Sequence, residues 1–390
     1  MNTTPLTRFG RRGFLFGAAG TALAMSGCSV LQGSAESTGA ADATAIKFGV
    51  SAPRTGPLAE YGKYYEQGFA IALDVINGAG GIDGKQVELV WEDSQSDPKQ
   101  SVPIAQKFVA DKSIIAELGD FSSGASMAAT PVYQQGGLVQ FGFTNSNPDF
   151  TAGGDKAWTT SLTQENYQEH YVKLLKKYGD SVAVFYQQTD WGKTSFELFE
   201  KFAGTAGLEV TYSSAINPES QDFRPVLLRA LDSKPQTVAH LGYGPDGGLL
   251  VKQLRGLGFT GKTLAGQTTP QFLEIAGEAA EGVVLAENFT LSDTSNPRQV
   301  EFVTKFREKF NIDPGAFNLY AYDALQVLAK AVSIGGATRE GVFQGLSSGE
   351  SFETVLLGDL VFSDKRRPER VVLKELEVVN GEFVNKGVIE

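Results

Sequence analysis

Ser122 and Ser123, adjacent in the turn Asp120-Phe121-Ser122-Ser123-Gly124-Ala125, have the types and spacing to do chemistry. The residues before them, 114–118, are short and apolar and end in Gly119, which reads as a buried strand. The Ala-rich residues after them read as a helix. The turn therefore brings two hydroxyls and several unpaired backbone N–H groups to a helix N-terminus, just past a strand's carboxyl end. In an open α/β sheet that edge is where ligands bind. Free donors and the helix dipole favour a carboxylate or another anion there. A plainer reading is that one of the two serines only caps the helix.

Other constellations fail on context. Gly256-Leu257-Gly258-Phe259-Thr260-Gly261-Lys262-Thr263 matches the phosphate-loop pattern. Such a loop must run from a strand into a helix so that the helix N-terminus meets the phosphates. Here a helix precedes the motif and the strand-like Leu264-Ala265 follows, which argues against nucleotide binding. Gly345-Leu346-Ser347-Ser348-Gly349 matches a nucleophile elbow but follows a helix, not an apolar strand. The two histidines have no ligand or triad spacing. His170 reads as a solvated residue on a charged helix face, and His240 as core or pocket lining at a strand end. No His/Cys/Asp cluster suggests a metal. The chain thus lacks a catalytic constellation, and neither a metal nor a cofactor is expected.

The elements that must position the turn come in two similar runs. The first has strands near 46–50, 87–91, 114–118 and 138–141, with helices from about Glu60 and from Asp97-Pro98. The second begins near Gln164, with strands near 181–186, 208–212, 237–241 and 283–286 and helices between them. Alternation of this kind means mainly parallel sheets. Long helices return at 297–310 and 318–334, and strand-like runs close the chain around 360–362 and 371–379. The first run is short of helices, so the late ones have a place there.

Length and charge bound the class. The chain has 390 residues, 42% hydrophobic, enough for two cores of ordinary size. Residues 1–27 carry three arginines and no acid; taking three from 34 leaves 31 basic residues against 45 acidic, a net −14. So acidic a surface argues against nucleic acid and against an anionic membrane face. Arg11-Arg12 precede an apolar run to about Met25, too short to span a bilayer, as in an export signal of twin-arginine type. The run ends in Met25-Ser26-Gly27-Cys28, which resembles a bacterial lipobox with Met where Leu is usual. Cys28 is the single cysteine of the chain, so it reads as a lipid anchor and not as half of a disulfide. Residues 28–45, rich in Ser, Gly and Ala, read as a flexible tether.

Residues 46–390 resemble the type I solute-binding proteins of ABC importers, in the branched-chain (leucine/isoleucine/valine) amino acid branch. The marks are Thr55-Gly56-Pro57-Leu58-Ala59-Glu60-Tyr61-Gly62, Gly80-Gly81-Ile82-Asp83-Gly84-Lys85, Asp93 with Asp97-Pro98, the Ser122-Ser123 turn, Ser146-Asn147-Pro148, Asp190-Trp191-Gly192, Asp222-Phe223, Gly242-Tyr243, Ala276-Gly277-Glu278-Ala279-Ala280-Glu281-Gly282, and Tyr322-Asp323-Ala324. Each is weak alone, but in this order and at these spacings they are strong together. The resemblance implies two Rossmann-like α/β lobes joined by three crossings, with residues 46–161 and 290–350 in one lobe and 162–289 with 351–390 in the other. Ligand held between the lobes would favour the closed form by differential contact.

The same resemblance assigns the ligand's carboxylate to Ser122, Ser123, Thr144 through its backbone, and Ser146. It assigns aromatic contacts to Tyr61, Trp191 (usually Tyr), Tyr243 and Phe317. Amino-acid binders of the family carry an acid after the strand near 264 to meet the ligand ammonium. This chain has Gly266-Gln267-Thr268 there, and Asp120 and Asp246 are the visible acids that could compensate.

Three functions follow. One is a lipid-anchored, extracytoplasmic binding protein that hands an amino acid, or another small carboxylate or amide, to ABC permease subunits. The others are a ligand sensor on the same scaffold and an exported enzyme, the last weakened by the missing catalytic constellation. Fold alone does not separate them. The expected chain is a monomer that touches the membrane only through its N-terminal lipid and binds no nucleic acid.

Overall fold

The computed structural model describes residues 45–390 apart from Ser292, Arg370 and Val372. The export signal, Cys28 and all of the tether but Ala45 lie outside the described residues. Among the described residues no helix is long and apolar enough to cross a membrane.

The first sheet is built from β1 (Ala45–Ala52), β2 (Gln86–Asp93), β3 (Ile114–Gly119), β4 (Val139–Gly142) and β5 (Ala157–Thr159). Their order is β2-β1-β3-β4-β5, and every pairing is parallel. Parallel strands need crossover helices, which cover both faces. β3 and β4 are buried along their whole length, as that arrangement requires. The crossovers here are α1 (Ala59–Gly78), α2 (Pro98–Ala110) and α3 (Ser123–Gly136). α2 starts where Asp97 accepts from the Lys99 N–H and Pro98 occupies the first turn, where its missing N–H costs nothing.

The second sheet repeats the plan. α4 (Gln164–Lys176) leads to β6 (Ser181–Gln187), α5 (Asp190–Ala206), β7 (Glu209–Ile216), α6 (Arg224–Asp232) and β8 (Thr237–Leu241). α7 (Gly244–Gly256), β9 (Lys262–Leu264), α8 (Pro270–Ala276) and β10 (Val284–Glu287) complete the run. The strand order β7-β6-β8-β9-β10 is parallel and matches the first sheet. The motif at 256–263 runs from the end of α7 into β9, the reverse of a phosphate loop.

The chain then supplies α9 (Pro297–Phe310), α10 (Ala316–Gly335) and α11 (Arg339–Leu346), a two-residue ladder of β11 (Phe352–Glu353) with β12 (Asp359–Leu360), and the antiparallel pair β13 (Lys374–Val379) and β14 (Glu382–Val388). β13 pairs antiparallel with β10 and extends the second sheet. α10 packs on α1 so closely that a side chain on Gly68 would meet the Asn318 carbonyl oxygen at 2.0 Å. Phe317, Leu325, Leu328 and Val332 of α10 share one core with Phe48, Tyr65 and Phe141 of the first lobe. The late helices therefore serve the first lobe.

Two features differ from the sequence expectation. Phe352 and Leu360 are buried in the first lobe's core, so the chain stays with that lobe beyond residue 350. Arg366 and Arg367 still hold the first lobe there. Arg366 Nη2 donates to the Thr151 carbonyl, and Arg367 Nη2 donates to the Asn147 carbonyl at 3.0 Å. Leu357 and Val371 pack against the second lobe's core, and Leu373 is buried in it. His170 is buried, 2% exposed, not solvated, and its Nδ1 lies 2.7 Å from the Asn166 carbonyl. The returning chain covers that side of α4, where Asn166 Nδ2 donates to the Val371 carbonyl.

Candidate functional site

In a sheet of this order the crevice opens where the strand order reverses, outside the carboxyl ends of the strands flanking that point. In the first sheet these are β1 and β3, so the crevice falls at the loop 120–123. In the second they are β6 and β8, so it falls at the first turn of α5, which carries Trp191, and at the loop carrying Tyr243. The two crevices meet in one cavity of about 100 Å³, against the ~10–15 Å³ one water needs.

The first wall consists of donors. Ser123 opens α3, is 3% exposed and lines the cavity. Ser122 is the N-cap, with its Oγ 3.5 Å from the Ala125 N–H, and it is absent from the cavity lining. Of the two hydroxyls expected at the ligand, the structure brings only Ser123 there. Which neighbour caps is set by the extended backbone at Ser122, φ −83° and ψ 128°.

Thr144 lines the cavity, but its Oγ1 is held by Tyr65 Oη at 2.7 Å and by the Phe121 carbonyl at 3.2 Å, which leaves its backbone for a ligand. Ser146 lines it too, and its Oγ accepts from Trp191 Nε1 at 2.9 Å across the cleft.

Neither acid suggested by the sequence faces the ligand. Asp120 accepts from Ser51 Oγ at 3.1 Å and Ser96 Oγ at 2.5 Å, so it braces the loop from behind. Burial raises its pKa against the pull of those hydroxyls and that of Ser94. Asp246 accepts from Gln187 Nε2 at 3.0 Å and from the Tyr243 N–H at 3.2 Å, and it lies 2.8 Å from His240 Nε2.

The aromatic residues form one cluster. Tyr61 lies on Phe121 with centroids 4.0 Å apart, Phe317 meets Tyr61 at 4.9 Å, and Tyr243 bridges Phe121 at 5.1 Å and Trp191 at 5.5 Å. Phe121, Trp191, Tyr243 and Phe317 line the cavity; Tyr61, 1% exposed, stands behind Phe121. Its hydroxyl joins the lobes, donating to Gln267 Oε1 at 2.5 Å and accepting from the Gly244 N–H at 3.3 Å. Gly266 makes the turn that aims Gln267 this way: its φ is +76°, and a Cβ there would lie 2.2 Å from the Phe272 ring. With Tyr61 on its oxygen, Gln267 offers a ligand one lone pair and its amide hydrogens.

Sequence reading missed the part of the cavity over the second sheet. Its floor is the carboxyl ends of β8 and β9, at Leu241 and Leu264, and β10 at Leu285 and Ala286. Tyr167 and Tyr171 from α4, Tyr320 from α10 and Glu287 at the end of β10 stand on it. Tyr320 Oη is 3.1 and 3.2 Å from the two Glu287 oxygens and 3.3 Å from Tyr167 Oη. Burial raises the Glu287 pKa, opposed by the Asn288 N–H and Tyr320. Two signals could have found this region. Glu287 directly follows an apolar strand, at the edge where ligands bind. Gln164, Gln168 and Tyr171, like Tyr167 and Tyr171, have the three- and four-residue spacing of one helix face.

Two α/β lobes of matching order, meeting over a cavity lined by helix-terminal donors and by aromatic and amide groups, define a two-lobed solute-binding protein. Comparison with known proteins is more particular: the chain belongs to the periplasmic binding protein family, whose profile matches residues 45–372. It is 30% identical over 334 residues to the Leu/Ile/Val-binding protein homolog 1 of Brucella suis, covering 83% of this chain and 88% of that one. It is 30% identical over 330 residues to the leucine-, isoleucine-, valine-, threonine- and alanine-binding protein of Pseudomonas aeruginosa, covering 83% and 87%. Among solved structures, the leucine-binding protein LivK of Thermotoga maritima superposes with a TM-score of 0.81 at 25% identity, covering 88% of this chain and 99% of that one.

Proposed function

We propose that this chain captures a small carboxylate-bearing solute of the amino-acid class outside the cytoplasm and delivers it to the permease of an ABC importer. The observation that carries this reading is the first wall: Ser123 at a helix N-terminus, the backbone of Thr144 and the Ser146 hydroxyl converge on one cavity between the lobes. Such an array stabilises a carboxylate without a basic side chain. The Pseudomonas relative is named for binding five amino acids, which supports the class. The Tyr61 bond to Gln267 favours a second reading, carboxylates or amides without an α-ammonium, because the residue where the family carries an acid is a neutral amide already engaged.

Calorimetry on the purified chain tests both readings. Tight binding of leucine, isoleucine or valine supports the first, and equal binding of the deaminated acids supports the second. The lipid anchor rests on Met25-Ser26-Gly27-Cys28. Cys28→Ala is expected to move the protein from membranes to the soluble exported fraction; a variant as firmly membrane-bound as the wild type would remove the anchor from the proposal.

A further inference from the structure

The part of the cavity over the second sheet adds a second polar end to the cleft. Among the described residues Glu287 is the one acid in the cavity lining, and no Lys or Arg lines it. Protein surrounds Glu287, yet the residue keeps some accessible surface. Its hydrogen-bond partners are the Asn288 N–H and the Tyr320 hydroxyl, neither of them a cation. A carboxylate withdrawn from water without a counter-charge is costly, and a cation that replaces the lost solvation recovers much of that cost.

The surroundings suit a cation. Tyr167, Tyr171 and Tyr320 wall the same chamber, with Tyr167 and Tyr171 centroids 6.2 Å apart, and aromatic faces attract ammonium groups. A separate observation points to a polar ligand group here. Gln168, 0% exposed and part of the lining, has neither amide atom hydrogen-bonded, and Gln164 Oε1 beside it is also unpaired. Buried amides are rarely left so.

The two polar ends come from different elements, the residues after β3 and β4 for the carboxylate donors and the end of β10 for Glu287. The ring contacts linking them run from Phe121 through Phe317, at 5.9 Å, to Tyr320, at 5.7 Å. Near the carboxylate end both candidate acids are engaged elsewhere, so an ammonium on the α-carbon would find no charged acceptor beside it. Resting on the proposed carboxylate capture, we propose that Glu287, boxed by Tyr167, Tyr171 and Tyr320, receives a cationic nitrogen, and that the ligand carries it at the far end of an apolar spacer, several bonds from its carboxylate.

The test is calorimetry on the purified full chain with three probes: pentanoate, leucine and 5-aminopentanoate. The expected order has 5-aminopentanoate tightest, roughly tenfold to a hundredfold above pentanoate, the worth of one charge-assisted contact. Glu287→Gln should erase that advantage, because it removes the charge that meets the ammonium and keeps the donors that meet the carboxylate. Glu287→Asp, which keeps the charge on a shorter arm, should shift preference towards 6-aminohexanoate, a change that a purely structural carboxylate would not produce. Thermal melts of both variants check folding. If leucine binds tightest, or if Glu287→Gln leaves the advantage of 5-aminopentanoate intact, the cation site is wrong while carboxylate capture stands. If no probe binds the wild-type chain, carboxylate capture fails and the cation site with it.

Discussion

The two walls of the cleft handle charge in opposite ways. The first lobe faces the cavity with uncharged groups alone, namely hydroxyls, backbone groups, a helix N-terminus and the rings of Phe121, Phe317 and Tyr320. Its buried acids Glu117, Asp120 and Asp323 all stand behind the wall. The second lobe puts a carboxylate (Glu287), three tyrosines (Tyr167, Tyr171 and Tyr243) and three amides (Gln164, Gln168 and Gln267) directly on the cavity. Both walls come from sheets of the same strand order, so the difference lies in the residues after the strands and not in the fold. Dipoles fixed by secondary structure suit any carboxylate, whereas side chains on strand ends can be exchanged without moving the backbone. The first wall is thus suited to a common anionic group, and the second to what distinguishes one ligand from another.

The strongest way to break this comparison is to remove the first wall's hydroxyls. Ser123→Ala with Ser146→Ala is expected to weaken every carboxylate by a similar factor, roughly tenfold to a hundredfold, with little change in melting temperature. Calorimetry over several carboxylates would contradict the comparison if the loss depended strongly on the ligand's other end.

A smaller effect is expected at the seam. Tyr61→Phe removes the hydroxyl shared by Gln267 and the Gly244 N–H, and should weaken all ligands by about tenfold or less. Calorimetric loss confined to one ligand would place Tyr61 in the distinguishing wall.

The smallest effect concerns the acids behind the first wall. Burial pushes the Asp323 carboxyl up to about 7, opposed by the N–H groups of Leu356 and Val355, and burial also raises Glu117 and Asp120. The folded chain therefore holds protons that the unfolded chain releases from about pH 4 upward. Their contribution to stability is greatest on the acid side of that window and falls as the pH rises through 7. Calorimetric scans from pH 5 to 8 should show a declining melting temperature, and Asp323→Asn should flatten the decline. A wild-type melting temperature that rises across that range would show the acids to be charged in the folded chain.

Much of the fold was legible because its signals are local. Asp97-Pro98 marks the start of α2, and the apolar run at 114–118 marks β3. The first wall was legible for the same reason, since a strand end, a turn and a helix start are adjacent in sequence. The choice between Ser122 and Ser123 was not, because it depends on one residue's backbone angles. Glu287, Tyr167 and Tyr320 were not, because they come from three elements far apart in the chain and meet only after folding. The late lobe boundary was hidden because β11 and β12 have two residues each, too few to give a periodic pattern.

Trp191 has a consequence for how ligand capture can be watched. Of the three tryptophans, Trp158 donates from its indole to the Asp155 carbonyl and Trp91 packs against Phe69, both within the first lobe. Trp191 alone reaches across the cleft, with its Nε1 on Ser146 Oγ. Separation of the lobes exchanges that hydroxyl for water, while Tyr243, on the same lobe, stays beside the ring. The indole's emission colour and its quenching by iodide therefore track the separation of the lobes, so the unlabelled protein carries its own optical clock for opening and closing.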